Sequence, residues 1–173
     1  MKQNIFIIIF LLTGFTSCKP EKAIELRAVI VKQERAAFNI LVGKSGAEEE
    51  KLNCLINKDF KGAQAAVDKI EKGLNNIVKT IEALPAEGVK EGDELKKAAV
   101  DYYTALRDLK TMERKEIVQR EAAYDKDKEK ASIALNRLLE LNKEQLTMSG
   151  MVSEKGAVLH NTLQQFNEIN NLR

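Results

Sequence analysis

The chain has no tryptophan, one histidine, two prolines and two cysteines in 173 residues, and only 5% of it is aromatic. Each shortage excludes something. The lone His160 has Ala157 and Leu163 at the flanking i±3 positions, so the Glu-x-x-His pairs of di-iron bundles are missing. The His-x-x-Glu of imelysin-like iron-uptake lipoproteins is missing as well, and His160 is expected at a surface or rim. Charge of one sign is also lacking: 28 basic residues face 26 acidic ones. Composition therefore implies no basic face and argues against nucleic acid as a partner. No apolar run reaches the ~20 residues that cross a bilayer. The longest, Ile5 to Leu12, has eight.

That run is nevertheless informative. It follows Lys2 and leads into the small residues Thr16-Ser17-Cys18, the three-part layout of a secretory signal. Gly14-Phe15-Thr16-Ser17-Cys18 resembles a lipobox, the cleavage motif of bacterial lipoprotein precursors, in the relaxed form seen in Bacteroidota. The resemblance implies cleavage between Ser17 and Cys18, removal of residues 1–17, and a diacylglycerol on the Cys18 sulfur with further acylation, of the palmitate class, at the new amino end. Two or more chains at ~0.8 kcal/mol per buried CH₂ anchor stably where one is marginal. Residues 18–20 would form the lipidated end and a short tether, and 21–173 a single domain of sufficient size for its own core. With Cys18 acylated, Cys54 has no intrachain partner. No cofactor is expected beyond the covalent lipid.

The body of the chain is rich in Ala, Leu, Glu, Lys and Gln and shows no strand alternation. The expected fold is all-α, an elongated antiparallel bundle of about four helices near 21–42, 47–84, 92–123 and 129–170. The first has Ile24, Ala28, Val31, Phe38 and Val42 on its inner face, and Gly43 and Gly46 stop it. Gly43-Lys44-Ser45 is not a phosphate loop, because Phe38 stands where the motif needs glycine and a helix leads in. In the second, Leu52, Ile56, Phe60, Ala63, Val67, Ile70, Leu74, Ile77, Ile81 and Leu84 recur at spacings of four and three. Ser45 and Glu48 predict a capping box at its start, Glu48-Glu49-Glu50 complement its dipole, and Pro85 ends it.

The third helix has an inner face of Leu95, Ala99, Tyr102, Leu106, Leu109 and Met112; Tyr103 reads as core filling, with a rim position that serves a ligand as the alternative. Its stripe then fades into residues 113–130, where twelve charges occur in eighteen residues, six of each sign. These read as two helix ends with a reversal near Tyr124 to Lys128 projecting into solvent. One uninterrupted helix is the alternative. The last helix carries Ile133, Ala134, Leu135, Leu138, Leu141, Leu146, Met148, Val152, Leu159, Leu163, Phe166 and Ile169, with a bend expected around Ser149-Gly150 and Gly156. Cys54 is expected in an apolar surrounding, an intermolecular disulfide being the other use of its thiol. Met112, Met148 and Met151 read as core, with a soft binding groove as the alternative.

The lipobox, the loop Leu84-Pro85-Ala86-Glu87-Gly88 and the segment Leu95-Lys96-Lys97-Ala98-Ala99-Val100-Asp101-Tyr102-Tyr103 together resemble small helical envelope lipoproteins of Bacteroidota and spirochaetes. That resemblance implies a helical fold and an envelope location and carries no catalytic or metal-binding residue. The expected function is a membrane-anchored, non-enzymatic binding or interaction module with a protein partner. The alternative is a structural or accessory periplasmic protein, self-associating as a homo-oligomer or supporting an envelope complex. Lys19 in place of an aspartate after the cysteine favours the outer membrane by resemblance. Lys19-Pro20-Glu21-Lys22 leaves the periplasmic and surface faces both open.

Overall fold

The computed structural model describes residues 19–172, with side-chain environments from residue 21. Ser17 and Cys18, the cleavage and lipidation residues, lie outside the described residues, as does the whole signal segment. Five helices follow in order: α1 (Lys19–Leu41), α2 (Ala47–Ile56), α3 (Phe60–Glu82), α4 (Gly92–Ala122) and α5 (Lys128–Ile169). The fold is an all-α bundle, and among the described residues there is no strand. Lys19 and Pro20, expected as tether, belong to α1.

The expected helix over 47–84 is broken. Its ten-residue first part, α2, closes with the Lys58 and Asp59 N–H groups donating to the Leu55 and Cys54 carbonyls at 3.1 and 2.8 Å. This is a Schellman stop, with Lys58 at φ 58° in the left-handed position that glycine usually fills. Asp59 then caps α3 by accepting from the Gly62 N–H at 2.8 Å. The break turns α2 back along α3: the Lys69 ammonium reaches Glu50 at 2.6 Å, and a side chain on Gly62 would meet the Cys54 sulfur. Leu52 and Ile56, expected inward, are consequently exposed, Ile56 by 77%. The stripe resumes beyond the break, where Ala63, Val67, Ile70, Leu74, Ile77 and Ile81 are all buried.

The start of α2 differs as well. Gly46 is its N-cap with no side-chain bond, and the Ser45 N–H donates instead to the Glu49 carboxylate at 2.5 Å. The predicted Ser45–Glu48 capping box does not form, because Glu48 turns inward to lysines. α1 presents Ala23, Leu26, Ile30 and Ala37 to the core rather than Ile24, Val31, Phe38 and Val42, all of which are exposed. Gly73 on α3 lets it approach closely, since an added Cβ would lie 2.7 Å from the Ile40 side chain.

α4 runs antiparallel to α3. Arg107 donates to Asn75 at 3.0 Å, Arg114 pairs with Glu71 at 2.9 Å and with Asp68, and Lys96 donates to the Leu84 carbonyl at 2.8 Å. The reversal expected near Tyr124 to Lys128 is present, with Asp127 capping α5 by accepting from the Glu129 N–H at 2.9 Å. It does not project freely, since the Tyr124 ring sits 5.8 Å from Phe60 and the Lys58 ammonium lies 4.4 Å from its centre. The corner of α2 and α3 thus meets the corner of α4 and α5. α5 is continuous through Gly150 and Gly156 and returns along α4, where Lys155 lies 3.9 Å from Asp101 and Asn170 donates to the Lys90 carbonyl at 2.9 Å. Its backbone packs directly on α4 alone. Ala134, Leu141 and Phe166 are buried, while Ile133, Leu135, Leu146 and Ile169, expected inward, are exposed.

Tyr103 fills the core, as expected, while Tyr102, expected in the core stripe, is the less buried of the two. Tyr103 is 2% exposed within the main core, and burial together with the Glu34 carboxylate pushes its phenol far above the usual range. Tyr102 is half-buried, its ring edge-on to Tyr103 at 4.9 Å and against the space left by Gly156. Met112 is buried as expected, Met148 is half-buried and Met151 is exposed. His160 is exposed.

Candidate functional site

α4 does not lose its inward stripe after Leu106. The positions continue at helical spacing as Lys110, Glu113, Glu116 and Ile117, and all but Ile117 are ionisable. α2 answers with Glu48, Lys51 and Leu55 on one face. The backbones of α2 and α4 do not come into direct contact, and the seam between them is bridged by these long side chains. Lys51 is 5% exposed and Glu113 and Glu116 are each 7% exposed, a rare degree of burial for charged residues.

The pairing is specific. Lys51 donates to Glu48 Oε1 at 2.6 Å and to Glu113 Oε2, and Lys110 lies 2.9 Å from Glu113 Oε1 and 3.3 Å from Glu48 Oε1. Two ammonium groups and two carboxylates therefore close a cycle. Burial opposes the charge on Lys110, but the Glu113 and Glu48 carboxylates outweigh it and raise its pKa. Glu116 stands outside the cycle. Its Oε1 is buried with no hydrogen-bond partner among the described residues, and the same holds for Glu48 Oε2. Desolvation, followed by the neighbouring Glu113 charge, pushes the Glu116 pKa up against the opposing effects of Arg120, Lys51 and Lys110.

These groups line an open groove of about 350 Å³ whose other walls are Leu52, Leu55, Ile117, Arg120 and Gln145. Among the described residues, no three His, Cys, Asp or Glu side chains are gathered as a metal ion requires. The groove offers hydrogen-bond acceptors beside an apolar wall, an arrangement suited to binding and orientation.

A second depression, of about 450 Å³, is lined by Ser45, Glu49, Glu50, Asn53, Cys54, Asn57 and Asp59. Cys54 is half-buried here, with Leu55 and Phe60 on its apolar side and carboxylates on the other, not in the wholly apolar surrounding expected for it. Desolvation and then the Asp59 and Glu50 charges raise its pKa, which disfavours the thiolate. Glu49 and Glu50 are already engaged with Ser45 and Lys69.

The ionic seam was absent from the sequence expectations, which placed Glu113 and Glu116 in a solvated tip and Glu48 in a helix cap. The signal lay in the spacing 110, 113, 116, 117, which extends the Leu95, Ala99, Tyr103, Leu106 stripe, and in a matching Glu48–Lys51 pair. No protein-family model, curated protein or solved structure shows significant similarity to the chain. Among the described residues, no helix is long and apolar enough to cross a membrane.

Proposed function

We propose that the chain is a lipid-anchored bacterial envelope protein acting as a non-enzymatic binding module. The observation that carries the anchoring half is Thr16-Ser17-Cys18 at the end of the Ile5 to Leu12 run. Lys19 and Pro20 are already helical, so with lipid on Cys18 the helical body would stand close to the bilayer without a long tether. The binding half is supported by the groove between α2 and α4, which holds acceptors that nothing among the described residues satisfies. The outer membrane is the favoured location, by the resemblance at Lys19. Cys18→Ser is expected to leave the helical circular dichroism unchanged while moving the protein out of the sedimented membrane fraction. Full sedimentation of that variant would remove the anchor. Crosslinking in the native envelope, followed by mass spectrometry, tests the binding half by identifying what is held.

The accessory, self-associating reading draws support from one further observation. α5 leaves Leu135, Leu139 and Leu146 exposed, Leu146 by 74%, on a helix whose backbone packs on α4 alone. Light scattering of the intact chain across a dilution series distinguishes the two, because a mass that stays monomeric at every concentration leaves self-association without support.

A further inference from the structure

Glu116 is buried beyond nine-tenths, faces the groove between α2 and α4, and has a carboxylate oxygen that no group among the described residues hydrogen-bonds. The two lysines nearest it are occupied, Lys51 by Glu48 and Glu113 and Lys110 by the same two carboxylates. A buried carboxylate left without a donor is unfavourable. The group that relieves this must bring N–H donors and a positive charge. The Glu48 oxygen that remains unsatisfied lines the same groove and is a second acceptor. Beyond the carboxylates the wall is Leu52, Leu55 and Ile117, with Gln145 of α5 opposite and Arg120 at the exposed rim. A hydrated metal ion would gain nothing from that apolar wall, whereas a carbon skeleton would.

We infer that the groove between α2 and α4 binds an organic ammonium ion, whose N–H groups donate to the free Glu116 oxygen and whose short carbon skeleton lies on Leu52, Leu55 and Ile117. This gives the binding module a ligand class, and it rests on the binding half of the proposed function, not on lipid attachment. Arg120 is the competing cation from within the chain, four residues along the same helix from Glu116. The volume of about 350 Å³ is at the small end of ligand sites and suits a small amine.

The test uses the full chain in non-ionic detergent and three probes of equal skeleton: n-butylamine, butan-1-ol and butyrate. Calorimetry is expected to show saturable binding of butylamine alone. Glu116→Gln, which keeps shape and removes charge, is expected to weaken it by about tenfold or more. Arg120→Gln is expected to strengthen it by removing the competitor. Circular dichroism on each variant checks the fold. Absence of saturable butylamine binding up to about 10 mM overturns the inference, as does equal binding by Glu116→Gln or by butanol. Such a failure leaves the crosslinking result intact, so loss of this ligand class and loss of the binding module are separate outcomes.

Discussion

Glu116 makes the stability of this protein depend on pH in a direction unusual for a carboxylate. Its pKa is raised in the folded chain by desolvation and then by Glu113, so between the ordinary glutamate value and the raised one the folded state binds more protons than the unfolded state. Stability is therefore intact below the ordinary glutamate range and falls as pH rises from that range through the raised value. Glu116→Gln should be more stable than the parent at neutral pH, by about 1–3 kcal/mol. The gain should vanish below about pH 4, read from urea midpoints across the pH series. Removing the Lys51 ammonium has the opposite effect on stability. Lys51→Met leaves Glu48 and Glu113 sharing one ammonium in a buried seam and should cost about 3 kcal/mol, whereas Lys51→Met with Glu113→Leu should recover part of it. Neither residue was legible as buried, because a charge in a helix is assigned to solvent unless its partner on another helix is known. Tyr102 and Tyr103 show the same limit on a smaller scale. Adjacent positions differ by about 100° around a helix, and the stripe from Leu95 is too short to decide between them.

At the scale of elements, the long stripe from Ala63 to Ile81 was readable because eight buried positions fall on one face of one helix. The break before it was not, since neither glycine nor proline marks it. Lys58 takes the left-handed position, and the only local clue is Asp59, a strong N-cap residue three before Gly62. An added Cβ at Gly62 would press on the Asp59 carboxylate, which caps α3, and sit 2.8 Å from the Cys54 sulfur, so both side chains would have to move. Gly62→Ala, ordinarily favourable inside a helix, should instead destabilise by about 1–3 kcal/mol, measured by chemical denaturation. The reversal between α4 and α5 was legible, and Asp127 supplies its cap. Its docking on Phe60 was hidden, because that contact depends on where the unforeseen corner between α2 and α3 lies. The face of α1 was misread because apolar residues occur on two of its sides, and only packing against α3 selects Ala23, Leu26, Ile30 and Ala37.

At the scale of the whole molecule, the all-α architecture was written in composition and period, while the candidate site depends on a pairing of distant helices that neither reveals. The bundle is also unevenly supported. The second half of α5 contributes Val152, Leu159, Leu163 and Phe166 to the main core, and Asn170 fastens its end to Lys90. The first half buries only Ala134 and Leu141. Opening free energies differ among parts of one protein according to such support. In hydrogen–deuterium exchange, the amides of residues 129–147 should therefore exchange faster than those of residues 152–168, and uniform exchange along α5 would contradict this. A 42-residue helix of about 63 Å is thus buried in the main core at one end and sparsely buried at the other. Whatever occupies the groove beside Gln145 would change the motion of its looser arm, and exchange rates in that arm would report occupancy without any label on the ligand.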